Sequence, residues 1–294
     1  MVVRVCAALG AATLILLGGC AGNEPAPQPE AVDRGPAPPY AEVAARYNQR
    51  VAEASHIWAR STTRIWYTDD EGREQSDQAD GHLQYIAPRN LLLSVTRLGE
   101  TYAYLGSDDE RYWWISLAED DRGAVVGRHD EATPQAAARA GLPVHPLDLL
   151  ALVGVSPMPP EGNVAWSPDG RLLVVTYEGR WGSVVSDLDP ETLEPASVVV
   201  LREARPAVSA ELGEYVGYTR NLLHDGEQVR LPGQVFITAH DSGARIRMNL
   251  SEYRATSRWP NEQAFNLERL LQSHGIAPEQ VRAVRDTITE APGR

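Results

Sequence analysis

The run His240-Asp241-Ser242 contains the three residue types of a hydrolase triad. In such a triad a histidine activates a serine nucleophile, and a carboxylate orients the histidine. Three consecutive residues cannot reach one another in that way, and His-Asp-Ser-Gly is favourable turn chemistry. We therefore predict a turn here and no enzyme. A hydrolase whose three residues are brought together by the fold stays open as an alternative.

The ionic residues also argue against several classes of site. Two acidic runs, 108–110 and 119–121, place carboxylates side by side, whereas a calcium loop alternates its ligands, so solvated turns are predicted. None of the seven histidines has a Cys or His partner at metal-ligand spacing. All 27 basic residues are arginines, which excludes Schiff-base and P-loop lysines. The formal net charge of −13 argues against a nucleic-acid partner. We expect no catalytic residue, no metal and no cofactor.

Tryptophan and tyrosine are concentrated in the first two thirds of the chain, while phenylalanine occurs only twice. Both abundant types combine apolar area with one polar atom, which suits a cavity wall that meets acyl chains and headgroups. Filling a barrel core is the alternative. The candidate cavity residues are Trp58, Trp66, Tyr85, Leu93, Tyr102, Tyr104, Trp113, Trp114 and Trp166. Residues 111–117 are apolar on both faces, which predicts either cover on each side or an exposed aromatic patch.

The N-terminus predicts export and a lipid anchor. Arg4 precedes an apolar run at residues 5–17, which is too short to span a bilayer and is typical of a signal peptide. The run ends in Leu-Gly-Gly-Cys20, which resembles the bacterial lipobox and implies cleavage after residue 19 and acylation of Cys20. An ordinary secretory signal with an accidental Cys is the alternative. Ala21, in place of the aspartate that retains lipoproteins in the inner membrane, favours the outer membrane facing the periplasm.

The rest of the chain predicts a Pro-rich tether at residues 20–39 and a single domain at 40–294. Apolar residues at spacings of three and four predict a helix over 40–58. From residue 61 the period changes to two, and short strands joined by turn residues predict an antiparallel meander. Its last strands are predicted at 196–201, 214–218, 233–239 and 245–253. A helical insertion at 133–160 supplies the candidate lid residues Leu147, Leu149, Leu150, Leu152 and Val153.

This order of elements, together with three short phrases, resembles the LolA/LolB-like lipoprotein carriers over most of residues 40–267. The phrases are LDPETLEP at 188–195, LPGQVFI at 231–237, and MNL at 248–250 followed by FNL at 265–267. The resemblance implies an α+β, mainly antiparallel fold. In this fold an unclosed half-barrel of about eleven or more strands has an N-terminal helix and a helical lid. The Pro-rich tether and residues 268–294 have no counterpart in the family.

The resemblance and the lipobox together imply a non-catalytic cell-envelope protein, anchored to the membrane by its N-terminal acyl chains. Its expected ligand is apolar, a lipid or the acyl chains of a lipoprotein, which it would carry or accept. The alternative is a structural or assembly lipoprotein of the outer membrane. Such a protein would bind a protein partner through its sheet edge or an aromatic patch.

Overall fold

The computed structural model describes residues 32–68, 71–133, 144–218, 229–254 and 260–284. The predicted signal peptide, Cys20 and the first part of the predicted tether lie outside these residues, as do positions 134–143 of the predicted insertion. Within the described ranges, no helix has both the length and the hydropathy that crossing a membrane would require.

The described chain contains three α-helices and sixteen strands. The helices are α1 (Tyr40–Glu53), α2 (Pro146–Leu152) and α3 (Leu267–Ser273). The first six strands are β1 (His56–Thr68), β2 (Glu74–Ile86), β3 (Asn90–Arg97), β4 (Glu100–Ser107), β5 (Arg111–Ser116) and β6 (Gly123–Arg128). They are followed by β7 (Asn163–Trp166), β8 (Leu173–Gly179), β9 (Gly182–Leu188), β10 (Pro195–Arg202) and β11 (Arg205–Gly213). The last are β12 (Val216–Tyr218), β13 (Val229–Leu231), β14 (Gln234–Ala239), β15 (Ala244–Arg254) and β16 (Val281–Ala283).

Fourteen of these strands form one sheet, in the order β16-β6-β5-β4-β3-β2-β1-β15-β14-β11-β10-β9-β8-β7. Strands β12 and β13 form a separate pair. Among the described strands of the sheet, only the edge strand β16 pairs in parallel, with β6, and the other pairings are antiparallel. A twisted sheet of this length must curl or close. The prediction of a mainly antiparallel, unclosed half-barrel of about eleven or more strands is confirmed.

One face of the sheet, which we call the concave face, curls around α2. A single apolar cluster joins side chains from β2–β5 at one end of the sheet to side chains from β9–β11 at the other. Helix α2 belongs to the same cluster and contacts both β4 and β10. Burial of three leucines, Leu149, Leu150 and Leu152, stabilises this arrangement by roughly 2 kcal/mol per side chain.

Helix α1 covers the far end of the same face. Its buried residues Val43, Ala44, Tyr47 and Val51 form one stripe, which packs against β8, β9 and Met158. Tyr177 of β8 touches both this cluster and the cluster around α2, so both helices lie on the concave side.

The opposite, convex face is covered at β4–β6 by the C-terminal segment. Trp113 and Ile115 of β5 are fully buried there against Leu267 of α3 and Ile276. On the concave side of the same strand, Tyr112 is buried and Trp114 packs against the α2 cluster. Of the two predicted outcomes for residues 111–117, the structure has cover on each side.

The end of the first helix and one strand differ from the sequence prediction. The helix predicted over 40–58 ends at Glu53, and Trp58 belongs to β1. Pairing of Ile57 with Tyr85 of β2 places the segment in the sheet, and this pairing outweighs the helical spacing of Trp58. Strand β11 was not predicted, because Pro206 and small residues weaken its alternation. It pairs with β10 across one register shift and with β14 over residues 208–213.

The close contact between Gly106 of β4 and the Trp113 indole can be tested by substitution. A Cβ at residue 106 would lie 2.5 Å from the indole, well inside van der Waals contact, and that indole is fully buried. We expect Gly106→Ala to lower the free energy of unfolding by about 1–3 kcal/mol, measured by urea denaturation.

Gly213, the last residue of β11, provides the matched control. A Cβ added there would meet no atom within 4 Å beyond the adjoining residues, and its φ is not positive. Gly213→Ala should leave stability unchanged or raise it slightly. Equal effects of the two substitutions would contradict the proposed packing of Trp113.

Candidate functional site

The candidate lid residues lie in the interior of the half-barrel. Helix α2 begins after His145, whose Nδ1 accepts a hydrogen bond from the Leu147 amide at 3.1 Å, and Pro146 occupies the first turn. Leu149, Leu150, Leu152 and Val153 are buried in the concave cluster, and Leu147 packs against it partly exposed. The predicted insertion therefore places an apolar helix between the two ends of the sheet.

Three of the nine candidate cavity residues share this interior. Tyr85 and Leu93 are buried in the concave cluster, and Trp114 packs against it. Most of the remaining surface comes from aliphatic strand residues that the sequence analysis did not select. They are Ile57, Leu83, Leu91, Leu105, Val198, Val200, Val208, Val235, Ile237, Ile246, Met248 and Leu250. The alternation of each strand indicates such residues, but it does not indicate which face is concave.

The structure does not bring the other six candidates to this interior. Trp113 of β5 and Tyr104 of β4 pack in the convex cluster beneath the C-terminal segment. Tyr102, also on β4, is 40% exposed. Trp166 packs with the α1 cluster, where Arg34 lies 5.6 Å from its ring centre.

The remaining two, Trp58 and Trp66, lie on the convex face among arginines. Arg254 lies over Trp58, and both Arg64 and Arg245 lie over Trp66, with ring distances between 5.0 and 5.8 Å. Trp66 also contacts Phe236 of β14.

Two histidines that are far apart in sequence meet beside α2. His129 and His145 are each 3% exposed, and their ring centres lie 6.1 Å apart. His145 also packs on Tyr112 of β5 and meets Trp181 edge-on at 4.5 Å. Trp181 lies in the turn between β8 and β9, so this cluster joins the two ends of the sheet.

Each histidine of this cluster has one ring nitrogen without a hydrogen-bond partner in the described structure. Nε2 of His129 is 2.9 Å from the Asp108 carbonyl oxygen, to which it donates, so its Nδ1 is left with an unused lone pair. Nδ1 of His145 accepts from Leu147, so its Nε2 carries an unused proton. Burial lowers the pKa of His129 and lowers that of His145 well below its ordinary value. Both rings are therefore neutral.

Three basic side chains surround the histidine cluster. Arg180 and Arg202 lie over the Trp181 ring, at 5.4 and 5.9 Å from its centre. Arg89 is near enough for its charge to contribute, after burial, to lowering the pKa of Arg180. We call Arg180, Trp181 and Arg202 the arginine rim. Its side chains range from exposed at Arg180 to partly buried at Arg202.

Asp148 of α2 connects the helix to this rim. Its carboxylate lies 3.6 Å from the Arg202 guanidinium, and the exposed Asp241 pairs with the same arginine at 3.6 Å. Burial raises the pKa of Asp148 to about 7, because the loss of solvation outweighs the attraction of Arg202 and Arg180. The chain thus keeps a carboxyl group that is only partly ionised at neutral pH on an otherwise apolar helix.

A second concavity lies between α1 and the loop at 191–194. It encloses about 400 Å³ and has walls that include Arg46, Arg50, Glu194 and Arg230. Arg46 and Arg50 donate to backbone carbonyls, and Arg230 forms an ion pair with Glu194 at 3.3 Å. Because its walls are charged and internally paired, this cleft does not suit an apolar ligand.

The predicted turn at 240–243 joins β14 to β15. His240 contacts Ser209 of β11 at 2.9 Å rather than Ser242, and Asp241 pairs with Arg202. The three consecutive residues therefore do not form a triad.

Comparison with solved structures identifies the fold. A domain from Vibrio parahaemolyticus, provisionally described as an outer membrane lipoprotein-sorting protein domain, superposes with a TM-score of 0.53 at 12% identity. The match covers 79% of this chain and 97% of that one. A DUF1329 family protein from Desulfovibrio piger superposes with a TM-score of 0.53 at 13% identity, over 78% of this chain and 96% of that one. The resemblance to the LolA/LolB-like carriers is confirmed as a likeness of fold. No protein-family model and no curated protein matches the sequence.

Because burial raises the pKa of Asp148, the stability difference between the Asp148→Asn variant and the parent protein should depend on pH. Between about pH 4 and 7 the folded state binds the Asp148 proton more tightly than the unfolded state does. The contribution of Asp148 to stability is therefore lost as the pH rises through this range. We expect the unfolding free energy of Asp148→Asn, minus that of the parent protein, to increase by roughly 2–3 kcal/mol between pH 5 and pH 8.

Urea denaturation at several pH values measures this difference. The histidines are present in both proteins, so their opposite pH dependence cancels. Asp241→Asn is the matched control, because Asp241 pairs with the same arginine but is largely exposed. Its difference from the parent should stay within about 0.5 kcal/mol across the range. Parallel curves for Asp148→Asn and the parent would contradict the raised pKa.

Proposed function

We propose that this protein is a lipid-anchored cell-envelope protein that binds an acylated or otherwise apolar ligand inside its half-barrel. Helix α2 serves as a lid that leaves the interior when the ligand enters. The observation that carries the proposal is the position of Leu149, Leu150 and Leu152, which fill the centre of the concave cluster. Aliphatic side chains on a short helix occupy a volume that acyl chains of similar chemistry can take over.

The energetics permit such an exchange. Apolar contacts are non-directional, so acyl chains that replace the α2 leucines recover about 25 cal/mol per Å² of buried surface. Helix α2 has only seven residues and needs tertiary packing to remain helical. Its C-cap residue Val153 is followed by Gly154, at φ +73°, where the chain changes direction. A short helix next to such a turn can move without disrupting the sheet.

The envelope location rests on the N-terminal sequence and on the fold. We propose that residues 1–19 are removed, that Cys20 is acylated, and that residues 20–39 connect the anchor to the domain. At the end of this tether, the Val32 amide donates to the Asp169 carbonyl at 2.9 Å in the turn between β7 and β8. Ala21 and the lipoprotein-sorting description of the Vibrio domain support the outer membrane, facing the periplasm. Catalysis has no part in this proposal.

A second function is favoured by the convex face. Trp66 and Phe236 lie 6.3 Å apart there, beside the exposed Arg64, Arg245 and Arg247. Aromatic and arginine side chains are enriched in protein interfaces. This patch supports the alternative of an assembly lipoprotein that binds a protein partner. A protein that takes up no fatty acid would favour this alternative over the carrier.

The lid proposal predicts that loosening α2 strengthens ligand binding. Leu150→Ala removes packing that opposes opening, so a larger fraction of molecules is open and the apparent affinity rises. We expect the variant to lose about 2–5 kcal/mol of stability and to bind a fluorescent hexadecanoic acid about tenfold more tightly in a fluorescence titration. Hydrogen exchange at residues 147–153 should accelerate when the fatty acid is bound to the parent protein.

Leu267→Ala is the matched control for this test. Leu267 is as deeply buried as Leu150, but it packs in the convex cluster. Its truncation should cost similar stability and leave fatty-acid affinity unchanged. The lid proposal fails if Leu150→Ala binds no more tightly than this control.

The anchor is tested separately by replacing the acylated residue. We expect the parent protein to fractionate with membranes and to incorporate radiolabelled palmitate. The Cys20→Ser variant should incorporate none and should be lost from the membrane fraction. A Cys6→Ser variant, altered within the predicted signal, should behave as the parent does. Membrane association that survives Cys20→Ser would contradict a lipid anchor at this residue.

A further inference from the structure

We propose that the arginine rim binds the phosphate headgroup of the acylated ligand, and that Asp148 pairs with Arg202 of this rim while α2 lies in the interior. This inference rests on the proposed function, because it assigns the headgroup of a ligand whose chains occupy the place of α2. It identifies the ligand class as an acyl chain attached to a phosphate ester.

The rim has the chemistry of an anion site. Arg180 and Arg202 both lie over the Trp181 indole, so one ring contacts two guanidinium groups. Planar guanidinium groups donate paired hydrogen bonds to phosphate oxygens. In the described structure Arg180 forms no hydrogen bond or ion pair, and it contacts the Trp181 ring. The nearby Arg89 adds positive charge, although the chain as a whole is strongly acidic.

Unused donors next to the rim provide an independent observation. Nε2 of His145 is buried without a partner in the described structure, on a ring that is 97% buried and touches Trp181. Nε of Arg202 is likewise buried without a partner. An unsatisfied buried donor is unfavourable by about 1–3 kcal/mol, so native proteins rarely keep two of them side by side. Arg202 is on β10 and stays in place when α2 moves, so a phosphate oxygen could accept a hydrogen bond from its Nε.

The carboxylates around the cluster are mostly engaged elsewhere. Asp108 pairs with Arg111, and Asp130 pairs with Arg128. Asp241 is exposed, and it pairs with Arg202 from the solvent side. Asp148 is the buried carboxylate that faces the rim, and it is carried by the helix that must leave. When α2 moves out, Arg202 loses this partner, and a ligand phosphate can replace it.

The position of the rim fits a ligand with an apolar part and a charged part. From Arg180 inward, the side chains change from exposed guanidinium to the half-buried Trp181 ring, and then to the buried rings of His145 and Tyr112. Beyond them lies the aliphatic cluster around α2. A headgroup at the rim would therefore direct its acyl chain into the interior.

Binding of two matched ligands tests the inference. Oleoyl lysophosphatidic acid and monooleoylglycerol have the same chain and differ by one phosphate. We expect the purified protein to bind the phosphate form at least about tenfold more tightly, as one or two charge-assisted hydrogen bonds would produce. Arg180→Gln should remove most of this preference. The exposed convex-face variant Arg247→Gln should keep the preference.

Asp148→Asn should change the preference for the phosphate form in the opposite direction. It removes the competing carboxylate while preserving shape, so the preference for the phosphate form should increase severalfold. An unchanged or smaller preference in this variant would overturn the exchange of Asp148 for phosphate.

The remaining outcomes separate this inference from the proposed function. Equal binding of both acyl ligands would overturn the headgroup site and leave the apolar carrier intact. Failure of both ligands to bind would overturn the carrier and, with it, this inference. Glycerol 3-phosphate that competes as well as the acylated phosphate would show a site for free phosphate esters, and this result would also overturn the inference.

Discussion

The structure depends on how one very long sheet buries its apolar concave face. Fourteen strands cannot remain flat, and in an unclosed sheet the two ends do not hydrogen-bond to each other. Helix α2 solves this problem by packing against β4 on one side and β10 on the other. The histidine cluster, the arginine rim and the candidate lid are all found where this helix joins the two ends. The features most relevant to function are therefore also those that hold the half-barrel together.

Much of the architecture could be predicted from local patterns. Alternation of apolar residues and turn residues at regular spacing indicated the meander, and the stripe at Val43, Tyr47 and Val51 indicated α1. The errors occur where pairing between strands, and not the local sequence pattern, determines the secondary structure. Trp58 continues the helical spacing of α1, yet pairing of this segment with β2 places Trp58 in β1. Residues 205–213 alternate weakly, and β11 exists because β10 and β14 offer partners on both sides.

The candidate site was less accessible to sequence reasoning. A strand pattern separates residues into two faces but does not state which face becomes the interior, so Trp113 and Trp114 were selected together although they point in opposite directions. His129 and His145 are sixteen residues apart, and Trp181 comes from a hairpin in the other half of the sheet. These three side chains come together because the sheet curls. The His145-Pro146 start of α2, in contrast, could be recognised as a helix N-terminus.

The two edges of the sheet affect whether neighbouring molecules can pair with each other. An uncovered edge strand offers free amide and carbonyl groups to any neighbouring chain. Here one edge strand, β16, has only three residues, Val281 to Ala283, and it covers β6. The other edge strand, β7, has only four residues and is followed by a tight turn that binds Val32. The proposed lipid anchor would bring copies of this protein together on one membrane far more often than free solution would. Short and covered edges allow such molecules to collide repeatedly without joining their sheets.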